Sequence, residues 1–226
     1  MRPIPLFCAL AMAASAWAQS RVAVEATAEL NPTGGGATIT VHNNYSSSMV
    51  AFVFVYTLRS ADAIYSASTG FYDSAIDPAN KPIAPGDDAK VPYYAGSRGM
   101  VPVANIEAAL FADGTTFGHK DMVQTIFERR NFTLVTLNKI INELKQAAKH
   151  GLARNDLIAQ MQTSMGEERA AAGNNGNNDL ATCIMTVRNQ VFMDVMVSRQ
   201  QPMDQFLPAE IEKLTARREA LLPPKR

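Results

Sequence analysis

The hydrophobic period of this chain switches near residue 120, and that switch sets the fold class. From Arg21 to Gly118 apolar residues alternate with polar ones or gather in short β-branched blocks, as strands require. Beyond Gly118 they recur every three or four residues, with no proline until Pro202, as long helices require. A run of strands followed by a run of helices predicts an α+β chain.

In the first half, Val22, Val24 and Ala26 alternate with Ala23, Glu25 and Thr27. The stretch from Asn31 to Gly36 breaks the chain, and a second alternation runs from Ala37 to His42. Met49 to Leu58 is β-branched and aromatic throughout, which predicts a central strand. From Ser60 to Asn80 no period stands out. Ile83-Ala84-Pro85-Gly86-Asp87 is a turn signal, followed by strands at Ala89–Tyr94 and Val103–Phe111. Asp113-Gly114 predicts a tight hairpin with both central residues at positive φ, flanked by Phe111 and Phe117 on paired strands. About seven short strands predict an immunoglobulin-like antiparallel β-sandwich.

Three short motifs carry a resemblance: Val41-His42-Asn43, the apolar run from Met49 to Leu58, and Ile83-Ala84-Pro85-Gly86. In this order they resemble the small immunoglobulin-type domains of secreted bacterial proteins, the FxLYD and CARDB kinds, over residues 22 to 118. Tyr56-Thr57-Leu58 stands where that family has an LYD-like tripeptide. The resemblance implies a module that supports or binds and does not catalyse.

The second half predicts a helical region of about four helices. Asp121 is the expected N-cap of the first, which ends at His150-Gly151. Its apolar stripe is Val123, Ile126, Phe127, Leu134, Leu137, Ile141, Leu144 and Ala148, interrupted by Arg130. At about 43 Å such a helix is longer than a sandwich strand, so part of it should pack on other helices. Asn155 is the expected cap of a second helix to about Ala172, and a third runs from Asp179 to Gln200. That third helix has a main stripe of Leu180, Ile184, Val187, Val191 and Val195, and a second of Met185, Phe192 and Met196. Two apolar sides predict a middle layer or an interaction stripe. Pro208 fits the first turn of a last helix.

The N-terminus predicts export. Arg2 precedes an apolar run to Ala16, and Ala16 and Ala18 give the A-x-A pattern for cleavage before Gln19. The run is too short for a retained anchor, which takes about 18 apolar residues, and Phe7 before Cys8 does not fit a lipidation site. The expected organisation is a signal peptide at 1–18, a sandwich at 19–119, a helical region at 120–222 and a disordered tail at 223–226. Cleavage removes Cys8 and leaves Cys183 as the sole thiol, so no internal disulfide can form. Of the 21 basic residues Arg2 is lost, leaving 20 against 21 acidic ones. This balance gives no support to nucleic-acid binding, and no polybasic segment suits an anionic membrane.

Reactive signatures are sparse. His42, His119 and His150 are the three histidines, and no zinc-protease or serine-hydrolase motif occurs. Asp113, His119 and Asp121 form the best metal set, yet a turn and a helix cap already account for the two acids. Neither Asp87-Asp88 nor the Asn-rich loop before Asp179 has calcium-loop spacing, and the methionines near Cys183 spread around their helix instead of forming a copper site. The reading is therefore an exported non-enzymatic binding or scaffolding protein, with no cofactor and an unassigned protein partner or second copy. Two alternatives stay open. One is a periplasmic enzyme or accessory using a cleft near Asp113, His119 and Asp121. The other is a chaperone or assembly factor whose groove is lined by Met185, Phe192 and Met196.

Overall fold

The computed structural model describes residues 22–31, 36–59, 64–93, 101–174 and 178–222. In chain order the strands are β1 (Val24–Leu30), β2 (Ala37–Asn43), β3 (Met49–Arg59), β4 (Ile64–Asp73), β5 (Asp88–Tyr93), β6 (Val101–Phe111) and β7 (Thr116–Gly118). Four helices follow: α1 (Lys120–His150), α2 (Arg154–Asn174), α3 (Asn178–Val197) and α4 (Met203–Leu221). The strands form two antiparallel sheets, ordered β1-β2-β5 and β4-β3-β6-β7. Chain neighbours β2 and β3 lie in different sheets, as do β4 and β5, which is the Greek-key habit of an immunoglobulin-like sandwich. The fourth strand joins β3 and leaves β5 at the edge.

Alternation decides which side chains fill the space between the sheets. Ala37, Ile39 and Val41 of β2 are fully buried against Phe52, Phe54 and Tyr56 of β3 and Phe111 of β6. The opposite face of β3 and β6 presents Ala51, Val53, Ala108 and Leu110, and here the first turns of α1 bring Ile126, Met122 and Val123. The rest of α1 leaves the sheet. Its Leu137, Ile140, Ile141 and Leu144 pack with Leu157 and Met161 of α2, Val187, Val191 and Val195 of α3, and Phe206, Leu207 and Leu214 of α4.

Several local expectations are corrected. The Ser60–Asn80 stretch contains β4, an edge strand whose apolar alternation is broken where Gly70 faces Phe54. A Cβ at Gly70 would run into the Phe54 ring, so a core position carries no side chain. The Asp113-Gly114 turn is wider than expected: Gly114 alone has positive φ, at 85°, while the Phe111 amide donates to the Thr115 carbonyl at 2.9 Å. Phe117 pairs with Ala109 across the ladder.

Asp121 is not the N-cap of α1, because His119 holds that position with no side-chain cap bond and Asp121 sits inside the first turn. Gly151 does close the helix, at φ 60°, its amide donating to Ala147 and Ala148 carbonyls. Asn155 lies one residue inside α2. Pro208 is interior to α4, which begins after Pro202. A proline there removes the amide that would have bonded the Asp204 carbonyl.

Candidate functional site

Where the sandwich leans on the helices, a groove of about 1080 Å³ opens between them. Its sandwich side is made by Val50, Leu110, Phe111 and the turn Ala112-Asp113-Gly114. Phe127, Asn131 and Leu134 of α1 make the second wall, and Leu221 and Leu222 at the end of α4 the third. Phe127 belongs here and not in the core, with 45% of its surface exposed. The helix turns that side outward because Ile126, one residue earlier, takes the position against the sheet.

Arg130, the residue that interrupts the apolar stripe of α1, anchors the groove. Its Nε and Nη2 donate to the two oxygens of Asp73 at 2.8 and 3.0 Å. Asp73 ends β4 and is 8% exposed, so this is a fork-on-fork pair shielded from water. The other Asp73 duty is local: Oδ1 also accepts the Ala75 amide at 2.9 Å. The remaining acid of the groove, Asp113, accepts the Thr115 amide at 2.9 Å and holds the β6–β7 turn.

A smaller cavity, about 240 Å³, lies between the residues after β4 and the helices α3 and α4. Arg217 crosses it, donating to Gln190 Oε1 at 2.8 Å and to the Ile76 carbonyl. Burial pulls the Arg217 guanidinium below its ordinary value, against the pull of Asp77, Asp194 and Glu210. Beside it, burial raises the Glu210 carboxyl, with Lys213 opposing and Asp194 adding to the rise.

The strongest charge cluster is within the bundle. Arg188 of α3 has no exposed surface and donates to Glu168 of α2 through Nε and Nη2, at 2.8 and 3.0 Å. Its other edge donates to Glu143 of α1 at 2.5 and 2.8 Å. Lys139 of α1 completes the set, 3.2 Å from Glu168. Burial opposes ionisation of Glu168, but its bonds to Arg188 and Lys139 overrule it and hold the carboxyl below its usual range. The cluster ties three helices together and faces neither cavity's lining.

The histidines and acids singled out by sequence are not gathered into one centre. His119 pairs with Glu107 at 3.5 Å, Asp113 holds its turn, and Asp121 is exposed on α1. His42 bonds Asp88 across β2 and β5 at 2.6 Å. Among the described residues no three His, Cys, Asp or Glu side chains are placed to hold a metal ion. Cys183 is buried, at 1% exposure. No family model, curated protein or solved structure matches this chain.

The second stripe of α3 is divided between roles. Phe192 packs against the bundle core, while Met185 and Met196 are half-buried and Met193 takes the exposed side. It is not one contiguous open face. Among the described residues no helix is long and apolar enough to cross a membrane. Ala16, Ala18 and Gln19, the expected cleavage residues, lie outside the described residues, as does the 223–226 tail. What sequence reasoning missed was the pair Asp73–Arg130 and the trio Arg188, Glu143 and Glu168. Each arginine was signalled by its position, a long cation beside apolar stripe residues.

Proposed function

We propose that this is an exported, non-catalytic binding protein whose sandwich belongs with the FxLYD and CARDB kind of supporting domain and whose recognition surface is the sandwich–helix groove. The observation that carries the reading is the character of that groove. Its walls are mainly Val50, Leu110, Phe111, Phe127, Leu134 and Leu221, and Arg130 and Asp113 are already engaged in fixed structural bonds. Concave apolar surface between structural units is the usual setting for ligand recognition. General acid–base chemistry, by contrast, needs a titratable group free to reach a substrate. The N-terminal pattern favours export.

Nile red titration tests the reading. The exposed Ala112 lies on the sandwich side of the groove, and Ala112→Trp fills that side without touching a core cluster. Saturable dye binding by the natural protein, weakened at least tenfold by Ala112→Trp, is the expected result. Absence of saturable binding, or equal binding by the variant, overturns the assignment of the groove.

A further inference from the structure

The smaller cavity, between the residues after β4 and the helices α3 and α4, holds a cation without an acid. Arg130 and Arg188 each grip one carboxylate with Nε and Nη2 together. The same edge of Arg217 holds none. Its Nη2 donates to the Ile76 carbonyl, and its Nε is buried with no acceptor among the described residues. Nη1 donates to Gln190 Oε1 at 2.8 Å, so each described partner of this guanidinium is neutral. Asp77, Asp194 and Glu210 act on it from a distance, and none of the three forms an ion pair with it. A charge taken out of water is costly until an opposite charge meets it and its hydrogen bonds are made.

The rest of the cavity is a bed for carbon, supplied by Ala75, Pro78, Val191, Leu214 and Ala220. Gln190 adds a second donor. A guanidinium can only donate, so the Gln190 oxygen must face it, and the Gln190 NH2 bonds no described residue. At about 30 Å³ for each water-sized group, a cavity of about 240 Å³ takes roughly eight of them. We propose that this cavity binds a short-chain monocarboxylate of about the size of hexanoate, its carboxylate on the Nε–Nη2 edge of Arg217 and its chain on Ala75, Val191 and Leu214.

Asp194 also lines the cavity, but Lys213 stands 2.5 Å from it and 3.2 Å from Glu210, so both acids have a cation. An entering carboxylate therefore meets paired acids and an unpaired arginine. A second carboxylate on the ligand would lie on the apolar bed with nothing to answer it, and a neutral amide would leave the guanidinium without its opposite charge. The inference does not rest on the groove's binding role. Ser74, Ala75 and Ala220 border both spaces, but Arg217, Gln190, Val191 and Leu214 line the cavity alone, and Ala112 lines only the groove.

Isothermal titration calorimetry with hexanoate tests it, with circular dichroism to show that each variant is folded. The natural protein should bind one hexanoate saturably, at least tenfold more tightly than hexanamide, which has the same skeleton without the charge. Arg217→Gln should weaken hexanoate binding at least tenfold and leave hexanamide nearly unchanged. Should that variant not fold, Pro78→Trp keeps Arg217 and fills the cavity from an exposed lining residue. It too should weaken hexanoate binding at least tenfold, while Ala112→Trp should leave it as it is. Absence of saturable binding, equal affinity for hexanamide, or hexanoate binding indifferent to Arg217→Gln or to Pro78→Trp overturns the proposal. So does loss of hexanoate binding in Ala112→Trp, which would put the ligand in the groove.

Discussion

Arg188 is fully buried with both edges of its guanidinium engaged, and the two glutamates it serves come from different helices. Arg188→Met keeps the volume and removes the charge, leaving Glu143 and Glu168 facing each other across a largely dry site. Breaking such a set from one side costs about 3 kcal/mol, and urea denaturation at pH 7 should show a loss of that size. The pH dependence has a definite sign. Glu168 titrates below an ordinary glutamate in the folded chain, so its contribution is complete above the unfolded value and is lost as pH falls through the lower folded one. In the Arg188→Met variant that acid-side loss should flatten, measured as stability between pH 6 and 3. Glu210 has the opposite sign. Burial raises its carboxyl, so its ionisation costs stability as pH climbs past the ordinary value. Glu210→Gln should accordingly unfold within about 1 kcal/mol of the natural protein at pH 7, on the stable side, by the same urea measurement.

Between elements, the Asp73–Arg130 pair joins the end of β4 to α1 and sits behind the groove. With Asp73 and Arg130 side chains 8% and 16% exposed, Asp73→Ala strands a guanidinium and also removes the acceptor of the Ala75 amide. A cost of about 2–3 kcal/mol is expected, with faster protease cleavage near residues 74–80 as the measurable sign. The elements themselves differed in legibility. β3 and α1 could be read directly, since a ten-residue apolar block and a 3.6-residue period admit few alternatives. β4 could not, because its core-facing position at Gly70 is filled by the ring of Phe54, and an absent side chain leaves no pattern. Asp121 and Pro208 suggested helix starts but stand two residues past the cap of α1 and five past the first residue of α4. An acid suits any place in a first turn, and a helix can carry an interior proline at the loss of one amide bond. The groove had no signal of its own: its walls come from six separate stretches of chain, and only the interruption of the α1 stripe by Arg130 hinted at a second surface.

For the molecule as a whole, α1 decides whether the sandwich and the bundle are one cooperative unit or two. Its first turns belong to the cluster on the outer face of the four-stranded sheet, and its remaining turns to the bundle core. Arg130 and Arg217 add polar ties, one to Asp73 and one to the Ile76 carbonyl, so the start of the segment after β4 is held by two helices. Unfolding either part would expose one end of a continuous 31-residue helix and strip its apolar contacts. The sequence supplies separate probes for the two parts. All six tyrosines lie between residues 45 and 94, in the strand half of the sequence, and the lone tryptophan, Trp17, lies in the segment expected to be cleaved. Tyrosine fluorescence therefore reports the sandwich, while ellipticity at about 222 nm reports mainly the helices. Coincident urea transitions by the two probes are expected, as for a single two-state unit. Ile126→Ala removes the helix residue buried against the sheet, where truncation costs about 2–4 kcal/mol. It should move both curves together to lower urea. Transitions that separate in the natural protein, or an Ile126→Ala variant that shifts the tyrosine curve alone, would show that the long helix does not couple the two parts.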